Sequence, residues 1–418
     1  MSKNLTCNSI KQSRRKLFEV FTMRIVGIDP GTKSMDLCLL ENGKVASEAT
    51  VETKTVAEDP NVLINIINDM MPLDGIVVPS GYGVEVMDLS SIPHDVLEDW
   101  YYTFVLATTR ENIEEGVRKG VVGANIYYAM VKIIKRLYDY DVRKLLIPGV
   151  INLQSVPLHR KLNKIDMGTA DKLAVTVLGI HEVALEYGIP YDRVNYIHVE
   201  LGFGYNAVIG VERGKIVDGI GGSFMPGPGF LTAGALDLEV AQALGLIEKK
   251  EVFTTGCAYL ARVMTPEELV ERAENDWRAK ICLEAFIEGI VKAVYSVKSN
   301  VRNPLTILVS GRVAKIPQIR TVIEEHLADV GRVRVMKGLQ GARIVKETAQ
   351  GYAVVGDGLM NGLYSDLVKH VEIDRAVGSA LDYVLLSVFK DSRLGRKFAE
   401  LREVGFKSEA FNKAWWGM

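Results

Sequence analysis

The chain is short of the residues that announce metal or disulfide chemistry. It has 418 residues but only four cysteines and six histidines. Cys7, Cys38, Cys257 and Cys282 lie far apart, with no CxxC pair and no neighbouring His. That argues against a zinc site or a disulfide framework and points to a reducing, cytoplasmic compartment. Charge of one sign is also lacking. Lys and Arg total 50 against 52 for Asp and Glu, a net charge of −2, so no global field calls for nucleic acid or an acidic surface. No apolar run approaches the roughly 18 residues of a membrane span. The longest candidates, residues 145–153 and 381–389, are short enough to be buried strand or helix segments. A GxxxxGK[ST] phosphate loop is absent, which excludes a Walker-type nucleotidase.

What remains is an ordinary globular composition, 48% hydrophobic and 24% charged. At roughly 150 residues per domain the length suits two or three domains. Residues 1–22 differ from the rest. Arg14-Arg15-Lys16 precedes an apolar stretch too short for a signal peptide, and Met23-Arg24-Ile25-Val26-Gly27 reads as a start running into a strand. The expectation is a disordered extension over 1–22.

A repeated unit organises the rest of the chain. Ile25-Val26-Gly27-Ile28-Asp29-Pro30-Gly31 leads into an apolar strand and the turn Glu41-Asn42-Gly43-Lys44. Tyr196-Ile197-His198-Val199-Glu200-Leu201-Gly202 leads into another strand and the turn Glu212-Arg213-Gly214-Lys215. Asp29 pairs with Glu200, Gly31 with Gly202 and Gly43 with Gly214, all at an offset of 171. Each copy reads as a β-meander with a tight glycine hairpin. Two related halves facing each other make a cleft, and each half offers it one turn. Helical spacing over 60–70, 124–137 and 169–187, one or two helices over 266–296, and buried strands at 75–78, 145–147 and 305–309 complete an α/β pattern. From 363 onwards the chain reads as mostly helical.

Several constellations carry chemistry. In the first turn, Asp29 ends a strand and suits a hydrated Mg²⁺, which takes one or two carboxylates plus waters and phosphate oxygens. Gly31 lets backbone approach a phosphate, while Thr32, Lys33 and Ser34 supply donors. The second turn, Glu200-Leu201-Gly202-Phe203-Gly204-Tyr205-Asn206-Ala207, superficially matches G-x-G-x-x-A. A strand rather than a helix comes next, so the dinucleotide reading fails and a β-turn phosphate cradle fits better. Between the repeats, residues 158–172 crowd four cations and two carboxylates. Thr169 or Asp166 would cap the helix that begins there, Asp171 would project from its first turn, and Arg160 and Lys164 would bind an anionic substrate or neutralise a transferring phosphoryl group. Residues 219–229 hold five glycines and two prolines and read either as a mobile substrate loop or as a plain connection. Ser310-Gly311-Arg312 follows a buried strand, and Ala349-Gln350-Gly351 opens a small-residue helix. Both would let a flat ring lie against backbone, or serve close packing.

The order of these motifs resembles the actin, sugar kinase and Hsp70 ATPase superfamily. Residues 198–218 are similar to the second phosphate region of acetate and butyrate kinases, and the chain as a whole resembles an archaeal family described as predicted butyrate kinases. The resemblance covers residues 24–362 and lies in motif order. It implies a duplicated ribonuclease H-like, two-lobed fold with a nucleotide cleft between lobes 23–190 and 191–365, and a helical tail over 366–418 packed on them. It further implies ATP and Mg²⁺ as cofactors, with Asp29 holding the metal, Glu200 as a second candidate ligand, and Gly31, Thr32, Lys33 and Ser34 on the β- and γ-phosphates. Gly202, Phe203 and Gly204 would bind phosphate from the opposite lobe. Ser310, Gly311, Arg312 and Gly351 would meet the adenosine, and Asp171 would stand beside the acceptor. Glu200 departs from the His that acetate kinases carry, and the loop after Gly219 is not theirs.

The leading expectation is therefore ATP-dependent phosphoryl transfer to a small molecule, with a short carboxylic acid preferred over an alcohol. A carboxylate acceptor needs no general base, whereas a hydroxyl acceptor would need Asp171 as one. A nucleotide-driven conformational switch is the alternative of another class. A carbamoyl-transfer or glycoprotease-like relative ranks last, because no two of the six histidines are closely spaced. The expected partners are a small-molecule substrate and a second copy in a homodimer, without nucleic acid or membrane.

Overall fold

A computed structural model describes residues 23–245 and 252–416; the extension expected over 1–22 lies outside the described residues. Two mixed sheets organise the chain. The first contains β1 (Arg24–Pro30), β2 (Ser34–Glu41), β3 (Lys44–Glu52), β4 (Gly75–Val77), β5 (Met87–Asp88) and β6 (Arg143–Leu146), in the order β3-β2-β1-β4-β6-β5. The second contains β7 (Tyr196–Leu201), β8 (Asn206–Glu212), β9 (Lys215–Gly221), β10 (Ile307–Ser310) and β11 (Val333–Val335), in the order β11-β10-β7-β8-β9. Each sheet is thus an antiparallel meander whose first strand is flanked on its other side by parallel strands.

The duplication extends to fine detail. Asn42-Gly43 and Arg213-Gly214 both adopt positive φ, the requirement of a two-residue hairpin turn. The register slips between Leu39 and Leu40 in one meander and between Gly210 and Val211 in the other, which is the same offset of 171. Asn206–Glu212 is a strand, as a β-turn cradle requires and a dinucleotide fold forbids.

Two long helices lie between the sheets. The first connecting helix, Ala170–Tyr187, packs on the second sheet: a side chain at Gly179 would strike the Tyr196 hydroxyl and Leu308. The second connecting helix, Glu347–Leu359, packs on the first sheet, where a side chain at Gly27 would strike the backbone of Ala349 and Ala353. They cross at Gly351, which leaves room only for the backbone of Ala174 and Val175. Together with the inner sheet faces they form a central core that includes Ile25, Leu40, Leu173, Val177, Ile209 and Tyr352. Each sheet carries a separate outer core. Trp100, Phe104 and Ile134 belong to the first, and Phe286, Ile290 and Ile319 to the second.

The segment expected as one or two helices over 266–296 is two, Pro266–Arg272 and Trp277–Lys298. The side chains of Thr265 and Asp276 accept from Glu268 and Arg278 N–H groups, giving each helix its own N-cap. The glycine- and proline-rich stretch at 219–229 begins inside β9, continues as a short 3₁₀ turn and then runs irregularly. Short helices after 363 return to the first lobe. Glu85 accepts from the Gly378 and Ser408 N–H groups at 3.0 and 3.3 Å, Trp100 Nε1 donates to the Val404 carbonyl at 2.9 Å, and Arg402 pairs with Asp382 in full burial. Among the described residues no helix is long and apolar enough to cross a membrane.

Candidate functional site

The end of β1 builds the first half of the site. Asp29, 2% exposed, accepts on Oδ2 from Lys346 Nζ at 2.9 Å and from the Thr348 hydroxyl at 2.6 Å. Lys346 is the N-cap residue of the second connecting helix and also pairs with Asp36 on β2 at 2.7 Å. Asp36 in turn accepts from the hydroxyls of Ser34 and Thr50. Burial raises the Asp29 carboxyl above its ordinary value; Lys346 opposes the rise, and the neighbouring Asp171 and Asp36 add to it. Burial alone would lower the Lys346 ammonium, but Asp29 and Asp36 raise it instead. A side chain at Gly31 would run into Lys346 Nζ, so the turn lies directly on this ion-pair cluster.

The second half repeats the plan with a different outcome. Lys172, in the first turn of the first connecting helix, donates to Asp171 Oδ2 at 2.6 Å and lies 2.9 Å from Glu200 Oε2 at the end of β7. That oxygen is buried and has no partner besides the Lys172 ammonium among the described residues. Thr169 sits at the N-cap, yet its hydroxyl accepts from no helix N–H and donates instead to Asp171 Oδ1. Burial pushes Asp171 up, but Lys172 and the hydrogen bonds from Lys172 and Thr169 outweigh it and hold the carboxyl below its ordinary value. Glu200 goes the other way: burial, with Asp171 and Asp29 adding to it against Lys172, pushes it up to about 7. Lys172 is held charged by Asp171 and Glu200 against the cost of burial.

The two turns meet. Gly204 has no room for a side chain because Thr32 lies against it, and Lys33 Nζ stands 5.5 Å from the centre of the Phe203 ring. Thr232 holds the second turn by donating to the Gly204 carbonyl at 2.9 Å. The cleft beneath has about 1130 Å³ of free space, open solvent at its mouth included. Asp29, Gly31, Thr32, Lys33, Ser34, Asp171, Glu200, Gly202, Phe203, Gly204 and Arg312 all line it. Asn206 also lines it, with a buried side-chain oxygen that has no partner among the described residues.

Other expected residues lie elsewhere. Arg160 does not line the cleft: its guanidinium donates to the Val217 carbonyl at 2.7 Å and to Asn300 Oδ1. Lys164 donates to the Arg160 carbonyl and rests over the Phe224 ring. Their cations close the loop before the first connecting helix onto the second lobe. The Ser310 hydroxyl is buried and engaged by His198 Nε2 at 2.9 Å. Thr176 donates to the Lys172 carbonyl, so His198 must donate to Thr176 through Nδ1 and accept from Ser310. Gly311, at φ +89°, is packed against the Leu201 carbonyl and Glu200 Oε1, and Gly351 serves the helix crossing. Ser310, Gly311 and Gly351 therefore shape the cleft from behind its surface.

A family model described as "Protein of unknown function (DUF1464)" matches residues 27–386. The chain belongs to that family. A relative, the UPF0285 protein of Methanococcus vannielii, is 23% identical over 337 residues, covering 77% of this chain and 92% of that protein. Among solved structures, a propionate kinase from Francisella tularensis superposes with a TM-score of 0.54 at 14% identity, over 79% of this chain and 98% of that one. An acetate kinase from Porphyromonas gingivalis does so with a TM-score of 0.50 at 14% identity, over 81% and 99%. At such identity these likenesses establish the fold. This member of the DUF1464 family has the two-lobed, actin-like ATPase architecture.

Sequence reading did not single out Lys172, Lys346, Thr348 or Asn206. A signal was present for the lysines. A cation at a helix N-terminus opposes the helix dipole, and both lysines stand at the start of largely apolar helices. Such a placement calls for a buried carboxylate partner, and the strand-end acids Asp29 and Glu200 supply it.

Proposed function

We propose that the protein transfers a phosphoryl group from ATP to a small carboxylic acid, forming an acyl phosphate. The observation that carries this reading is the state of Asp171. Both its oxygens accept hydrogen bonds, and Lys172 with Thr169 holds it ionised well into acid, which makes it a poor proton acceptor. A carboxylate acceptor is already ionised and asks for no base. The surface beside Asp171 also suits a short apolar tail. Ala170 N–H donates to the Gly81 carbonyl and Tyr82 N–H to the Val105 carbonyl, both at 2.9 Å, which sets Val105 and Leu106 beside the helix start. Ile126 and Met130 line the same cleft.

ATP fits the two facing turns, whose backbone approaches only because Gly31, Gly202 and Gly204 carry no side chain. Mg²⁺ fits the donor set in a restricted sense. Among the described residues no group of three or more His, Cys, Asp or Glu has metal-holding geometry. An ion that keeps its waters and phosphate oxygens needs only one or two carboxylates. Asp29 and Glu200, both raised in pKa by burial and neighbouring carboxylates, would hold it. When bound, the ion would offset charge on the phosphates. The chain's own part is to orient the turns, enclose the transfer and keep Asp171 ionised.

A second reading, a hydroxyl acceptor, is favoured by one observation: Glu200 titrates at about 7 and would take up a proton near neutrality. One assay separates the two. With ATP, Mg²⁺ and a panel of short acids and alcohols, hydroxylamine traps acyl phosphates as hydroxamates. Hydroxamate formed with an acid supports the proposal, and ADP released with an alcohol but no hydroxamate supports the second reading. ATP binding without acceptor-dependent turnover sinks both and favours a nucleotide-driven switch.

A further inference from the structure

We propose that Lys172 is a catalytic cation whose ammonium contacts the transferring phosphoryl group. The inference rests on the phosphoryl-transfer reading and adds to it a residue and a role. Lys172 lines the cleft, its side chain is 11% exposed, and it stands between Asp171 on its own helix and Glu200 on β7. An ammonium has three N–H groups. One donates to Asp171 at 2.6 Å and a second faces Glu200 Oε2 at 2.9 Å, which leaves one N–H for a ligand in the cleft.

The other cations are placed differently. Lys346 also lines the cleft, with its side chain 24% exposed, but its ammonium is shared among Asp29, Asp36 and the Ser34 carbonyl. Arg160 and Lys164 are bound outside the cleft. Lys33 and Arg312 are exposed at its mouth. Without Lys172, an anionic acceptor and an anionic phosphoryl group would meet Asp171 without its cation. In the transfer, an acceptor carboxylate oxygen forms a bond to the γ-phosphorus while the bond to the bridging oxygen breaks. That electron pair leaves with ADP, and no proton moves. Lys172 donates to non-bridging oxygens, where charge is spread in the transition state.

The test is the hydroxamate assay on wild type, Lys172→Ala, Glu200→Gln and Lys172→Met/Glu200→Gln, with folding followed by thermal melts and ATP affinity by direct titration. Removal of one such donor costs on the order of 100-fold in kcat. Lys172→Ala is expected to show that loss with KM for ATP within about threefold, and ethylammonium or propylammonium should restore at least about tenfold, whereas tetramethylammonium, which has no N–H, should not. Retention of wild-type kcat by a folded Lys172→Ala, or equal rescue by tetramethylammonium, would overturn the role. If Lys172→Ala does not fold, the double variant decides, since it strands no buried charge at Glu200. A further loss relative to Glu200→Gln supports the role and parity overturns it. Wild type without acceptor-dependent turnover defeats the kinase reading itself, a result distinct from an active enzyme indifferent to Lys172.

Discussion

The two halves of the cleft carry the same pair, a strand-end carboxylate and a lysine at a helix start, in two different states. Around Asp29 the pair is closed. Lys346 is shared with Asp36, and Thr348 adds a hydrogen bond to Asp29. Around Glu200 the pair is open. Lys172 lines the cleft, Glu200 Oε2 has no partner besides that ammonium among the described residues, and burial pushes the carboxyl up to about 7. Duplication supplied one geometry twice. In the first copy the lysine is divided between two carboxylates, and in the second one carboxyl, Glu200, is pushed up to about 7 beside the cleft.

The comparison can be broken most forcefully at Lys346. Lys346→Met leaves Asp29 and Asp36 buried without their cation, and removing one partner of a buried pair costs about 3–5 kcal/mol. Denaturant titration should show that loss; a change under about 1 kcal/mol would mean the closed pair is no support. The open pair should instead appear in pH dependence. Glu200 rises from an ordinary 4.5 to about 7 on folding. Between those values the folded state keeps a proton that the unfolded state has released, so this group's contribution falls as pH rises through the window. The difference in stability between wild type and Glu200→Gln should therefore change by up to roughly 3 kcal/mol between about pH 4.5 and 7.5. A flat difference would show that Lys172 already satisfies Glu200.

Asp171→Asn sharpens the division of labour at smaller scale. With a carboxylate acceptor the loss should stay near tenfold, about 1.4 kcal/mol, because an orienting group and not a base is removed. Loss of several orders of magnitude, confined to a hydroxyl substrate, would return Asp171 to the role of base. The smallest effect belongs to Lys164→Ala. Its contacts are one carbonyl and one ring face outside the cleft, so stability should move by about 0.5 kcal/mol and kcat should not move. A large fall in kcat would bring the loop at 158–164 back into the site.

Much of this was legible before folding. The offset of 171 paired Asp29 with Glu200, and those residues do end equivalent strands, because a hairpin's register and its glycine turn are local properties. Asp171 and the two turns likewise line one cleft. The choice among cations was not legible. Arg160, Lys164 and Lys172 fall within thirteen residues of one another, and only the direction of the first connecting helix sends Lys172 inward while Arg160 reaches Asn300. Gly351 and Ser310 misled for a related reason. A small residue after a strand or in a helix makes room equally for a ligand or for another helix, and here Ala174 and His198 occupy that room.

By itself, then, the sequence determined the two meanders, their turns and the acids that close their first strands, all set by contacts between residues near in the chain. The tertiary structure alone decided which lysine meets which acid, since Lys346 and Asp29 lie 317 positions apart. It also decided which of the two pairs stays open. Burial and the count of neighbouring charges set that state, and both exist only once the two sheets have closed on the helices between them.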